Sequence, residues 1–264
     1  MKEIILVRHA TAEGQDVEND LARKLVPKGL KESQNIGFLL TKLQKKVDII
    51  LTSPADRAVE TADQIQSIVY RTISRKLDRD LYSGGVDDYL KAITHLEDNY
   101  HSLLLIGHNP ALKELTACFT NSDGSGISFP KASIYCFSFD CERWQEVGKN
   151  HSQLSFFINR ESIESILDQS NEAKPLESLK KGYSRTKKLL KRAKREGFKT
   201  SLTHDIRIMN RSWLALMELS GLDSEALQIT INRLMDTTGK YRDRCVQTKI
   251  LKKANPDRSI YNFW

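Results

Sequence analysis

Three short apolar runs, each ending at a cluster of polar residues, constrain this chain more than anything else in it. Ile4–Val7 runs into Arg8-His9-Ala10, Ile49–Leu51 into Ser53-Pro54-Ala55-Asp56-Arg57, and Leu103–Ile106 into Gly107-His108-Asn109-Pro110. Each run is too short for a free-standing helix and aliphatic enough for a buried strand. If the three strands are parallel neighbours, the polar clusters leave one sheet at one edge, where open α/β sheets hold ligands. Two histidines and two arginines then converge on one spot.

That residue set suits phosphoryl chemistry. A phosphoryl group in transfer carries negative charge on its oxygens, and catalysis is mostly positioning plus charge stabilisation. Each guanidinium of Arg8 and Arg57 offers a planar fork of donors matched to phosphate oxygens. His9 can attack phosphorus, because a neutral imidazole has a free lone pair near neutral pH. A second histidine, His108, can stay protonated and add charge or a hydrogen bond. Helices starting after Pro54 and Pro110 would aim further backbone N–H groups at the same anion.

The three stretches together, Val7-Arg8-His9-Ala10-Thr11-Ala12, Thr52-Ser53-Pro54 through Arg57-Ala58 to Glu60-Thr61-Ala62, and Gly107-His108-Asn109-Pro110, resemble the histidine phosphatase superfamily. The branch they resemble most is the SixA-type phosphohistidine phosphatases. Leu25 to Gly29, Leu81-Tyr82 with the acidic stretch after it, and Phe129-Pro130-Lys131-Ala132-Ser133 also fit. The resemblance implies that His9 becomes phosphorylated and that Arg8, Arg57 and His108 bind the phosphoryl group. Asn109 joins them as a candidate phosphate ligand.

Many superfamily members place a carboxylate as general acid, and none can be assigned here by position. Asp56 and Glu60 suit a helix N-terminus, Asp87 suits an N-cap, and Asp88 lies beside it. Without an acid, leaving groups that are already good are favoured, so phosphoramidates and phosphoanhydrides suit the site better than alkyl esters.

Residues 1–160 alternate strands and helices, as a mostly parallel sheet covered on both faces requires. Helices are expected over Pro27–Gln44, Ala55–Val69, Asp87–Asp98 and after Pro110. Further strands are expected at an edge between Arg71 and Arg79 and over Ser133–Asp140, Arg143–Val147 and Leu154–Ile158. Tyr82-Ser83-Gly84-Gly85 reads as a loop bordering the site, and Trp144 as a core residue. His95, His101 and His151 read as structural or surface residues.

The composition changes near Glu161. From there to the end stand 21 Lys and Arg against 13 Asp and Glu, a net +8, while the first 160 residues carry −1. The basic excess of this +7 chain therefore lies wholly in its C-terminal part, which points to a polyanionic partner. No strand pattern follows Pro175. Helical spacing is read over Leu176–Arg195, from about Thr200 to Ser220, and over Ser224–Lys249. Lys181, Arg185, Lys188, Arg192 and Arg195 make one stripe of the first of these, with almost no acidic partners. His204, Arg207 and Arg211 line a flank of the second.

The basic helix Leu179–Arg195, His204-Asp205-Ile206-Arg207, and Leu234 through Gly239 to Asp243 resemble a CHAD domain, a helical module associated with polyphosphate binding. Such domains usually hold two repeats around a basic groove, and this chain has one. By that resemblance Lys181, Arg185, Lys188, Arg192, His204, Arg207 and Arg211 are candidate polyanion ligands. Pairing of two chains would supply the second repeat.

The expected fold class is therefore α/β, a mostly parallel sheet flanked by helices and phosphoglycerate-mutase-like by the resemblance, followed by an all-α helical bundle. The expected domains are 1–160 and 161–264. The expected activity is a phosphohydrolase working through phosphohistidine, on phosphohistidine protein or on phosphoanhydride or polyphosphate. The alternative is a polyphosphate-binding scaffold with little turnover. The partners would be a phosphorylated protein or a phosphate-rich molecule such as polyphosphate, or a second copy of the chain. Nucleic acid ranks low, because the basic helices lack interleaved exposed aromatics. No apolar run is long enough to span a membrane, the N-terminus shows no signal peptide, and the four cysteines lack metal-ligand spacing. A cytoplasmic protein without metal or cofactor is expected.

Overall fold

The computed structural model describes residues 1–14, 19–69, 73–124, 126–148 and 152–168, then helical positions 184–186, 188–193, 195–196, 202, 205–206, 208 and 210. In chain order, β1 (Lys2–Arg8) leads through a 3₁₀ turn at Asp20–Ala22 to α1 (Pro27–Lys42). There follow β2 (Ile49–Thr52), α2 (Asp56–Val69), β3 (Ser74–Leu77), the short α3 (Asp80–Ser83) and α4 (Val86–Thr94). The unit continues with β4 (Ser102–Gly107), α5 (Ala111–Thr120), β5 (Ile134–Phe139), β6 (Ser152–Ile158) and α6 (Arg160–Leu167).

The six strands form one sheet in the order β3-β2-β4-β1-β5-β6. The first four are parallel, and β5 and β6 extend the sheet antiparallel. The three apolar runs are thus neighbours in the centre of the sheet. Arg8 lies opposite Gly107 and Thr52 opposite Ile106, so their polar clusters emerge side by side.

The runs are apolar throughout because helices cover both faces. Ile5, Val7, Ile50, Leu104 and Ile106 face α1 and α2, with Ile36, Leu40, Ala58 and Ile65. Ile4, Leu6, Ile49, Leu51, Leu103 and Leu105 face the other way, onto Tyr89, Ile93, Leu112 and Leu115 of α4 and α5. Fully burying one such aliphatic side chain contributes about 1.5–3 kcal/mol.

Two local expectations are corrected. Residues 143–147 are not a strand: Trp144–Glu146 is a 3₁₀ turn, and β6 pairs with β5 directly. Trp144 is fully buried, its indole N–H donates to Tyr100 O at 3.0 Å, and its backbone N–H donates to the Asp98 carboxylate at 2.8 Å. Those anchors take the backbone out of reach of the ladder. The helix expected from Asp87 starts at Val86 with Gly85 as N-cap, and Asp88 rather than Asp87 accepts the Gly85 N–H at 2.9 Å.

Helix α6 spans the compositional change near Glu161. Asn159 caps it by accepting from the Ser162 N–H at 2.9 Å. Ile163 and Ile166 enter the core beneath α1, and Arg160 pairs with the buried Glu32 at 3.2 Å. Beyond residue 168 the described residues are all helical. Ala193, Leu202 and Ile206 pack together, and Ile208 joins the core cluster that contains Ile127 and Phe129. The candidate polyanion ligands Lys181, His204, Arg207 and Arg211 lie outside the described residues, as do the helix expected over 224–249 and the chain end.

Candidate active site

His9 leaves the end of β1 into a turn that fixes its ring from several sides. Its backbone N–H donates to Gly107 O at 3.2 Å, and Ala132 N–H is shared between Arg8 O and His9 O at 3.1 and 3.3 Å. Ala10 N–H donates to Thr61 Oγ1 at 3.1 Å, and that hydroxyl donates to Arg57 O at 2.6 Å. The same turn is pressed by α1, where a Cβ on Gly29 would come within 1.9 Å of Thr11 O. No larger residue fits there without moving the loop.

The His9 ring is buried, with Nδ1 2.8 Å from Ala10 O. A carbonyl only accepts, so Nδ1 carries the proton and Nε2 keeps its lone pair. Burial lowers the His9 pKa to about 2, helped by His108, Arg57 and Arg8. His9 is therefore a neutral imidazole at any ordinary pH. Its centroid lies 4.9 Å from that of His108.

His108 follows β4 directly. Its backbone N–H donates to Tyr89 Oη at 3.0 Å, and that hydroxyl donates to Leu81 O at 2.7 Å. Tyr89 fits because residue 107 has no side chain: a Cβ there would stand 2.3 Å from Tyr89 Oη. His108 Nε2 lies 2.9 Å from Ser53 Oγ, which joins the second and third motifs. The expectation of a protonated second histidine does not hold in the free site. Burial, then the Arg57 charge, brings the His108 pKa down to about 4.

Among the described residues, the buried Nε of Arg8 and that of Arg57 have no hydrogen-bond partner. A buried unsatisfied donor costs about 1–3 kcal/mol, more for a charged group, and a bound anion would remove that cost. The remaining contacts hold each fork in place. Arg8 Nη1 donates to Phe129 O at 2.9 Å. Arg57 donates through Nη1 to Asp20 O at 2.6 Å and through Nη2 to the Asp20 carboxylate at 2.9 Å. Asn109 also braces Phe129 O, donating one of its two amide N–H groups through Nδ2 at 3.0 Å.

Asp20 is a site residue that the sequence pattern does not announce. Its carboxylate accepts from Arg23 Nη1 at 2.7 Å, from Tyr82 Oη at 2.8 Å and from Arg57. Arg23 first, then Tyr82 and Arg57, hold it well below the ordinary carboxylate range. In the free site it is an ionised group that occupies two arginines, Arg23 and Arg57, not a proton donor. Tyr82 borders the site as expected, with its ring edge-on to His108 at 5.9 Å, but it and Ser83 stand in the short helix α3 rather than in the expected loop.

The C-terminal candidates divide. Arg185 and Lys188 are exposed. Arg192 is not free of acidic partners: it pairs with Glu196 at 3.0 Å, and Arg195 pairs with the same carboxylate at 2.8 Å. Among the described residues no His, Cys, Asp or Glu group is arranged to hold a metal, and no helix is long and apolar enough to cross a membrane.

The two histidines make acid stability a readout of the site. Between about 6.5 and their lowered values, an unfolded histidine binds a proton that the folded one refuses. Stability is therefore complete above about pH 6.5 and declines as pH falls toward 4. Between about pH 7 and about pH 5 the melting temperature of the wild type should fall more than that of a His9→Gln/His108→Gln double variant. Equal slopes would show that these rings are not buried neutral.

The six-stranded unit that carries this arrangement has the fold of solved structures of SixA-type phosphohistidine phosphatases. The structure of the protein histidine phosphatase SixA complexed with tungstate is similar over 60% of this chain and 97% of that one, with a TM-score of 0.50 and 22% identity. A provisionally assigned SixA of Agrobacterium tumefaciens matches over 60% and 97%, with a TM-score of 0.52 and 23% identity. Another from Nakamurella multipartita matches over 60% and 95%, with a TM-score of 0.52 and 22% identity. In sequence, an uncharacterized protein of Mycobacterium tuberculosis is 29% identical over 119 residues, which is 45% of this chain and 73% of that protein. One from Mycobacterium leprae is 28% identical over 147 residues, 52% of this chain and 87% of that protein. No protein-family model matches the chain.

Proposed function

We propose that this chain is a phosphohydrolase that works through phospho-His9. The observation that carries the reading is the His9 ring itself: neutral, with Nδ1 tied to Ala10 O, beside two arginines whose buried Nε groups lack partners among the described residues. His9 Nε2 attacks phosphorus, an N–P bond forms, and the leaving group departs with its electron pair. Arg8 and Arg57 stabilise the equatorial oxygens during transfer. Water then attacks phosphorus, and the N–P electron pair returns to His9 as phosphate leaves. The dianion beside His108 opposes the arginines that depress its pKa, so the imidazole becomes a better hydrogen-bond donor once phosphoryl is bound.

Leaving-group chemistry narrows the substrates. Asp20, whose carboxylate accepts from Arg23 and Arg57, is held ionised by Arg23, Tyr82 and Arg57, so this carboxylate, the one among the described residues that meets a site arginine, is not an acid ready to protonate an alkoxide. Phosphoramidates, above all phosphohistidine on a protein, and phosphoanhydrides such as polyphosphate are the substrates this favours. That a similar SixA structure is complexed with tungstate, a tetrahedral oxyanion, supports a protein of this fold that binds such an anion.

The helical part is proposed to bind a polyanion. Exposed Arg185 and Lys188, together with the net +8 from residue 161 onward, support that reading. Lys181, Arg192, His204, Arg207 and Arg211 would complete the basic face, and pairing of two chains would double it.

The test offers the full chain a phosphohistidine protein, long-chain polyphosphate and a simple alkyl phosphomonoester. Phosphate release from one of the first two, well above release from the ester, is the expected result. Preferential turnover of the ester would overturn the leaving-group argument. Binding of polyphosphate with no release from any of the three would make the protein a scaffold on a phosphatase fold.

A further inference from the structure

The segment leading to Phe129 carries an acceptor on which the site depends, yet residues 127–130 lie in neither helix nor strand. The Phe129 carbonyl accepts from Arg8 Nη1 at 2.9 Å and from Asn109 Nδ2 at 3.0 Å, so its place in the fold decides where the Arg8 fork points. No ladder of backbone hydrogen bonds sets that place, and side-chain contacts must do so instead. One set comes from β5: the Tyr135 hydroxyl donates to Ser128 O at 3.0 Å, and the Tyr135 ring centroid lies 4.7 Å from that of Phe129. Ile127 and Phe129 are themselves buried.

A second set comes from the helical part. Asp205 lies so close to Gly126 that a Cβ at residue 126 would overlap its carboxyl group. The backbone at Gly126 is not left-handed, so it is Asp205 that excludes a side chain there. Ile208, also helical and three residues on, falls on the same face as Asp205. It is buried in the apolar cluster that holds Ile127 and Phe129. The helical part thus meets the segment at Gly126 and shares its core one turn further on. From Gly126 to the Phe129 carbonyl the chain spans at most about 10 Å. Misplacing a preorganised group by about 1 Å can cost a site about 10²-fold in rate.

We propose that Asp205 and Ile208 are positioning residues of the phosphoryl site, which hold the 126–129 segment and, through the Phe129 carbonyl, set the Arg8 guanidinium against the anion. This rests on the reading of the site as a phosphoryl-transfer centre. It makes the helical part a structural component of the pocket as well as a basic module beside it.

Tungstate binding reads the coupling without turnover. Ile208→Ala should weaken tungstate binding by the full chain about three- to tenfold, the scale of loosening one hydrogen bond to a charged group, and Ile208→Leu should restore most of it. Gly126→Ala should weaken binding similarly. Adding Asp205→Ala to it moves the bulk from one side of the contact to the other and should bring binding back toward the wild type. Leu202→Ala, which empties space beside Ala193 and Ile206 instead, should leave the affinity unchanged. The route through Arg8 is checked in an Arg8→Met background, where Arg57 still holds the anion and Ile208→Ala should cost less than about twofold. No loss in Ile208→Ala and Gly126→Ala, or the same loss with and without Arg8, overturns the positioning role. The two readings fail separately. A wild type that binds no tungstate removes the phosphoryl pocket, whereas tungstate binding indifferent to residue 208 removes only the helical part's share in it.

Discussion

His9→Ala leaves a folded protein with turnover reduced by roughly 10⁴-fold or more, the scale of losing a covalent nucleophile. The turn that carries residue 9 is held mostly by backbone, through Gly107 O, Ala132 N–H and Thr61, so it survives loss of the ring. The arginines remain in place, because their contacts run to Phe129 and Asp20 rather than to His9. Oxyanion binding should therefore persist in the variant while phosphate release disappears. A binding assay with orthovanadate or phosphate, run beside the activity assay, checks both halves. Loss of anion binding together with activity would mean that the ring supports the pocket rather than performing the chemistry.

Arg57→Met should lower kcat/KM by about 10²–10³-fold, the usual scale for removing a preorganised charge from a developing oxyanion. Methionine keeps much of the buried volume of the stem, so packing in the first turn of α2 changes little. The effect on Asp20 runs the opposite way. Without Arg57 the carboxylate loses one of its three stabilising partners and its depressed pKa rises. Arg23, its largest stabilising partner, and Tyr82 remain, so Asp20 stays ionised and the residual activity of Arg57→Met should keep the wild type's preference for good leaving groups. Steady-state kinetics on aryl phosphates of graded leaving-group pKa read both effects. An unchanged kcat/KM would show that the orphan Nε of Arg57 does not face the transferring group.

Much of this site was legible because its parts sit in short contiguous stretches. A buried strand followed at once by its polar cluster places Arg8, His9 and His108 without any long-range knowledge, and Arg57 lies in the first turn of the next helix. What was illegible depends on contacts across the fold. Asp20 lies in a polar stretch with no periodicity and meets Arg57 only through a 37-residue separation. Its spacing from Arg23, an i, i+3 ion pair, was the one local hint. Phe129 contributes a carbonyl, which no side-chain pattern reveals. The Tyr89 hydroxyl accepts the His108 backbone N–H from across the fold, and the local signal for it is the side-chain-free Gly107 beside it. The protonation of His108 was misjudged because burial and neighbouring guanidiniums outweigh the intrinsic basicity of imidazole. In the C-terminal part the ion pair from Arg192 to Glu196 stands at i, i+4 and was readable from spacing.

The central claim is a covalent phosphorus–nitrogen bond at His9. Rapid mixing with excess substrate, an alkaline quench that preserves phosphoramidates, and mass spectrometry of the peptide containing His9 test it directly. The account predicts phosphoryl on residue 9, approaching one per chain before steady state, and absent from His9→Ala. Turnover with no phosphoryl on that peptide, or with phosphoryl on a different residue that persists in His9→Ala, would contradict it.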